Sequence, residues 1–214
     1  MKKILFATSE AVPFIKTGGL ADVAGSLPKY FDKEKYDVRV MLPKYMCMKE
    51  EWKEKLEYVT HFYMDLSWRQ QYVGILKLEY DGITFYFIDN EFYFNGFAPY
   101  GDMYADIEKF AFFSKAVLSA LPMIDFRPDI IHCHDWQAGL VPVFLDNFRY
   151  GNEWYRGIKT VMTIHNLKFQ GTWDTKRVRD ITGLPQYYFA PDKLEAYKDC
   201  LLYTSPSPRD GLLS

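Results

Sequence analysis

This chain predicts an α/β domain organised around a mainly parallel sheet, on two observations. Short apolar runs at residues 4–8, 38–42, 129–133 and 159–164 have the near-continuous character of strands buried on both faces. Segments with the helical period fall between them, at residues 20–31, 104–121 and 139–148. Alternation of this kind implies parallel strands joined by right-handed crossovers, and such sheets take ligands beyond the carboxyl ends of their strands.

Each element has a local reason. The first run ends at Thr8, and the helix over 20–31 carries Asp22 in its first turn, where a carboxylate complements the helix dipole. Pro43 closes the strand over 38–42, and the charged residues 49–56 suit a solvated helix or loop. Strands follow at 59–65, 72–80 and 83–89, the last two joined at Asp81-Gly82, a strong hairpin signal that inserts an antiparallel element. Residues 89–101 are rich in aromatics, Asn and Gly without a clear period, which predicts a surface loop. Phe110, Phe113, Val117 and Leu121 recur at helical spacing and face the core of a long helix that Pro122 should end.

Composition narrows the classes. With 49% hydrophobic and 18% aromatic residues the chain can bury a sizeable core. A net charge of -2 with both signs scattered offers no field for nucleic acid or an anionic membrane. Cys47, Cys133 and Cys200 are odd in number and show no C-x-x-C spacing, against a disulfide framework or a structural zinc site and in keeping with a reducing cytoplasm. The apolar start resembles a signal peptide only briefly, because Glu10 and Pro13 interrupt it, and no run is long enough to span a bilayer.

Three polar clusters fall after strands and should converge. Lys16-Thr17-Gly18-Gly19 follows the first strand and opens a helix, a junction that suggests a bound anion. The glycines would let the backbone approach the ligand with φ values that other residues resist, and Lys16 would add a point charge. The pattern is neither a P-loop nor G-x-G-x-x-G, and Gly-Gly alone can be a simple turn. His134-Asp135-Trp136 and His165-Asn166 follow two later strands. His132, His134 and Asp135 are possible metal ligands, but the H-x-H-x-D-H pattern of metallo-hydrolases fails at Trp136 and Gln137, which weighs toward a hydrogen-bonding role over metal binding. Trp136 and Tyr100 offer faces for a sugar or nucleobase, while Asp135 and Asn166 suit hydroxyls; Trp136 could instead anchor its loop.

Four blocks then carry a family resemblance: Ser9 to Val23 around the Lys16-Thr17-Gly18-Gly19 sequence, Tyr100-Gly101 with Asp106 and residues 110–114, His132 to Leu140, and Thr163 to Gly171. Together they resemble bacterial glycogen synthases and plant starch synthases. The resemblance implies a GT-B fold of two Rossmann-like domains, with residues 1–199 forming most of the acceptor-side N-terminal one and the C-terminal nucleotide-binding domain absent. It implies glucose transfer from ADP-glucose to the non-reducing end of an α-1,4-glucan such as glycogen, with retained configuration and without metal or other cofactor. It also implies the site: Lys16, Thr17, Gly18 and Gly19 at the donor phosphates, His165 beside the donor glucose, and Asp22, Tyr100, Asp135, Trp136 and Asn166 placing substrate. His165 and Lys16 are the expected catalytic groups. Gln137 and Lys109 stand where the family often has His and Arg. Residues 200–214 are expected to be a non-native tail on an inactive piece of the enzyme. A stand-alone glucan- or nucleotide-binding module, or a UDP-glucose-dependent enzyme, are the competing readings.

Overall fold

The computed structural model describes residues 1–196 and 199–201. The chain begins with β1 (Lys2–Ala7), α1 (Gly19–Ser26), β2 (Tyr36–Pro43) and the short α2 (Glu50–Lys53). An antiparallel meander of β3 (Glu57–Leu66), β4 (Arg69–Tyr80) and β5 (Ile83–Asp89) follows, then α3 (Glu91–Phe94) and the long α4 (Met103–Met123). The remainder is β6 (Ile130–His134), α5 (Val141–Arg149), β7 (Lys159–Thr163), β8 (Thr172–Asp174), α6 (Thr175–Thr182), β9 (Glu195–Ala196) and β10 (Asp199–Leu201).

Seven strands make one sheet in the order β3-β4-β5-β2-β1-β6-β7. β5, β2, β1, β6 and β7 run parallel, and β3 and β4 add the antiparallel edge. β1 is the middle one of the five parallel strands, with Leu5, Phe6 and Ala7 wholly buried, which is why this strand is apolar on both faces. The chain leaves β1 toward β2 on one side and later occupies β6 on the other, so the topological switch point lies at the carboxyl ends of β1 and β6. β8, β10 and β9 form a separate small antiparallel sheet.

The predicted strands and alternation hold, and the differences have physical causes. Asp81 and Gly82 both take positive φ, 51° and 71°, as a two-residue turn matched to strand twist requires. The predicted helix over 20–31 stops at Ser26 and tightens to a 3-10 turn over Leu27–Tyr30, because buried Pro28 has no N–H to continue the α-helical ladder. Residues 89–101 are not simply a surface loop. Asn90 caps α3, and its Tyr93 and Phe94 are buried, the Tyr93 ring stacked 4.6 Å from Phe112. Pro122 does not end α4 but sits within its last turn. The carbonyl that its missing N–H would have bonded, that of Leu118, accepts the Tyr155 hydroxyl at 3.1 Å. The predicted helix over 139–148 is a 3-10 turn, Trp136–Ala138, followed by α5, which opens with Pro142 in its first turn. The expected tail lies, from residue 202 onward, outside the described residues. Among the described residues no helix is long and apolar enough to cross a membrane.

Candidate active site

A cavity of about 930 Å³ opens at the carboxyl ends of β1, β6 and β7. The three polar clusters meet there. Thr17, Gly18, Gly19, Tyr100, Asp135, Trp136, His165 and Asn166 line it. Lys16 and Asp22 do not. Lys16 Nζ pairs with the Asp22 carboxylate at 2.8 Å, and both side chains remain about half exposed, at 53% and 54%.

The loop between β1 and α1 is held from two directions. The Phe14 ring plugs the core edge-on against Trp52, Tyr80, Phe85 and Phe87. On the cavity side the Glu10 carboxylate, in a residue only 2% exposed, accepts the Thr17 backbone N–H, the Thr17 hydroxyl at 2.7 Å and the Tyr100 hydroxyl at 2.6 Å. A buried carboxylate persists only when its lone pairs are met in this way. Burial first, and the Glu10 charge next, push the Tyr100 phenol well above its ordinary range, so it stays a donor. Asp106, also buried, accepts the Gly101 N–H and Lys109, fixing the Tyr100 loop over α4.

Gly18 and Gly19 serve the site differently from the sequence-based expectation. Gly18 is extended, at φ -150°, and Gly19 is not among the positive-φ glycines, so neither needs glycine's conformational freedom. A Cβ at either position would meet nothing within 4 Å. They leave open space beside the first amides of α1, and a helix start of this kind offers N–H groups and the positive end of the dipole to an anion. Gly171 does need its conformation. Its φ is +68°, and a Cβ would lie 2.8 Å from that of Trp136.

Opposite α1, Asp135 takes φ 57° and ψ 177°, a region that costs a non-glycine residue roughly 1–3 kcal/mol. The conformation is held across the strand ends: the Asp135 N–H donates to the Thr163 carbonyl at 3.0 Å, and its carboxylate accepts the His165 N–H at 2.7 Å. Trp136 packs between Phe110 and Trp173, at 5.1 and 4.9 Å, and forms an apolar wall. Anchoring its loop and lining the cavity are thus one placement.

The histidines do not converge on a common point. His132 Nε2 meets the Thr163 hydroxyl at 2.7 Å, its ring stacks 4.2 Å from that of His134, and His134 Nδ1 meets His165 Nε2 at 2.9 Å. Among the described residues no group of three or more His, Cys, Asp or Glu side chains could hold a metal ion. Burial, then His132 and His165, push the His134 ring down to about 2. His132 is lowered too, by burial and by His165.

A family model of the starch synthase catalytic domain matches residues 3–204. The chain belongs to that family. Glycogen synthases of Lachnoclostridium phytofermentans and Lachnospira eligens are each 69% identical to it over 199 residues, 93% of this chain and 42% of the relative. Another, from Desulforamulus reducens, is 51% identical over 195 residues, 91% of this chain and 40% of the relative. The chain therefore spans less than half the length of these curated relatives. Among solved structures, the catalytic domain of Starch Synthase IV from Arabidopsis thaliana bound to ADP and acarbose matches with a TM-score of 0.74 and 25% identity, over 94% of this chain and 42% of that one. The α/β, Rossmann-like, mostly parallel sheet is the architecture of this starch synthase family.

Several groups of this starch synthase domain were not singled out from the sequence as site residues. Glu10, Asp106, Gln137, Lys168, Phe169 and Gln170 also line the cavity. All six lie in the blocks that carry the resemblance, and by itself Glu10 reads in sequence as a break in an apolar run. A buried carboxylate looks the same in sequence as a surface one until its partners are known.

Proposed function

We propose that the protein is a glucan synthase that transfers glucose from ADP-glucose to the non-reducing end of an α-1,4-glucan, with retained configuration, and that this chain forms the acceptor-side wall of its active site. The observation that carries the reading is a single cavity joining an anion-ready helix start, at Gly18 and Gly19, to the sugar-sized polar and aromatic wall of Asp135, Trp136, His165 and Asn166. Membership of the starch synthase catalytic domain family supports it, as does the ADP and acarbose of the Arabidopsis neighbour.

The chemistry follows from the placement. The bond from the glucose C1 to the diphosphate breaks, a bond from C1 to an acceptor hydroxyl forms, and the hydroxyl proton passes to the departing diphosphate. Amides of Gly18 and Gly19 stabilise charge developing on the leaving group. Lys16 joins them by leaving Asp22, at small cost, since an exposed pair contributes under about 1 kcal/mol. Thr17, fixed by Glu10, and Tyr100 set the loop's position, and Asp22 receives Lys16 back. His165 lies beside the donor sugar, with Asp135 and Asn166 as partners for its hydroxyls and Trp136 as an apolar face.

The test is a chimera in which residues 1–199 replace the matching part of the Lachnoclostridium phytofermentans glycogen synthase. Labelled glucose should enter glycogen from ADP-glucose in preference to UDP-glucose, and Lys16→Ala should lower kcat/KM for the donor by about a hundredfold, roughly the effect of removing one oxyanion-stabilising group. A folded, inactive chimera would overturn the reading. Equal use of both donors would replace its choice of nucleotide, and full activity in Lys16→Ala would remove the phosphate role.

A further inference from the structure

We propose that His134 is a positioning residue that donates its Nδ1–H to His165 Nε2, and thereby holds the His165 ring with its own proton on Nδ1, as a donor toward ligand oxygen in the cavity. What that donor meets rests on the glucan synthase reading, but the tautomer does not.

The two rings are neighbours only in the fold, 31 residues apart in sequence at the ends of adjacent parallel strands. His134 ends β6 and is wholly buried, its ring stacked on Phe6 at 5.1 Å and on His165 at 5.2 Å. One nitrogen, Nδ1, lies 2.9 Å from His165 Nε2. The other, Nε2, is buried without a hydrogen-bond partner among the described residues.

That orphaned atom decides the direction of the bond. Burial, His132 and His165 keep the His134 ring neutral, so it carries one proton, on Nδ1 or on Nε2. A proton on Nε2 would be a buried donor with no acceptor, while a bare Nε2 leaves only a lone pair unmet, and orphaned buried donors are the rarer of the two. The proton therefore sits on Nδ1 and points at His165. His165 Nε2 must then be the acceptor, and since an accepting nitrogen carries no proton, the proton of the His165 ring sits on Nδ1. His165 lines the cavity, its backbone N–H is fixed by Asp135, and its Nδ1 bonds nothing among the described residues. Histidine in water favours the opposite tautomer, with the proton on Nε2, so the arrangement is imposed by His134 and is not the default of the ring.

The experiment is long-range proton–nitrogen correlation spectroscopy of the imidazoles in the nitrogen-labelled chain, without nucleotide or glucan. The wild-type protein should give His165 in the Nδ1–H form. His134→Leu should return it to the Nε2–H form, and His134→Asn, whose amide places an N–H near the position of Nδ1, should keep the Nδ1–H form. A wild-type His165 protonated on Nε2 overturns the proposal without any variant needing to fold. So does a His165 signature unchanged in His134→Leu, or one lost equally in His134→Asn and His134→Leu, which would assign the effect to packing. Because no substrate is present, a failed synthase assay leaves this result standing, and a failed tautomer leaves the synthase reading open to its own test.

Discussion

Acid should destabilise this protein through His134, and the size of the effect can be worked out. The ring is buried and neutral, pushed from an ordinary 6.5 down to about 2 by burial first and then by His132 and His165. Below its ordinary pKa the unfolded chain takes up a proton that the native chain refuses. Stability is therefore full above about pH 6.5 and is lost as pH falls from there toward about pH 2, with a limiting slope of about 1.4 kcal/mol per pH unit. Between about pH 7 and about pH 5 the linkage comes to about 2 kcal/mol from this one group. His132 is lowered by burial as well and adds a loss of the same sign, so the total alone would not isolate His134. Urea unfolding of the wild type and of His134→Leu at both pH values does isolate it. Leucine suits the apolar side of the site against Phe6, and the variant should lose about 2 kcal/mol less than the wild type over that interval. Equal losses in the two proteins, within about 0.5 kcal/mol, would refute the reasoning, because they would mean that the His134 ring accepts a proton in the native state.

Two glycines separate site from scaffold. Gly18→Ala should leave stability within about 0.5 kcal/mol of wild type, since its Cβ meets nothing, yet on the glucan synthase reading it should lower the affinity of the chimera for ADP about tenfold in calorimetric titration by filling the space beside the α1 amides. Gly171→Ala should lose about 2 kcal/mol or more in denaturant unfolding, because it adds a backbone penalty at φ +68° to a clash with Trp136, and it should perturb tryptophan fluorescence. Tyr155→Phe should cost about 1 kcal/mol by thermal unfolding, with faster amide exchange in the last turn of α4, because the Leu118 carbonyl, which lacks the helical N–H that Pro122 cannot supply, loses the Tyr155 hydroxyl.

The order of strands and helices was legible because each signal is local. Continuous apolar runs marked β1, β2, β6 and β7, and Asp81-Gly82 marked the β4–β5 turn. What misled was also local. Pro122 reads as a helix end because sequence does not display the Tyr155 hydroxyl that meets the freed carbonyl. The aromatic stretch after β5 reads as a surface loop because its polar and Gly residues hide that Tyr93 and Phe94 pack on Phe112. The site itself was legible as a place, since polar clusters after parallel strands must gather at one edge of the sheet.

By itself, then, the sequence determined the α/β order, the family and the edge of the sheet at which ligands would gather, since period, turn chemistry and motif are properties of neighbouring residues. Only the tertiary structure decided which atoms face the cavity and in what state. Lys16 rests on Asp22 outside it, Glu10 turns inward to clasp Thr17 and Tyr100, and His134 presents one nitrogen to His165 and leaves the other without a partner among the described residues. These arrangements join residues up to 90 positions apart, as Glu10 and Tyr100 are, and burial and hydrogen-bond partners at that separation exist only once the chain has folded.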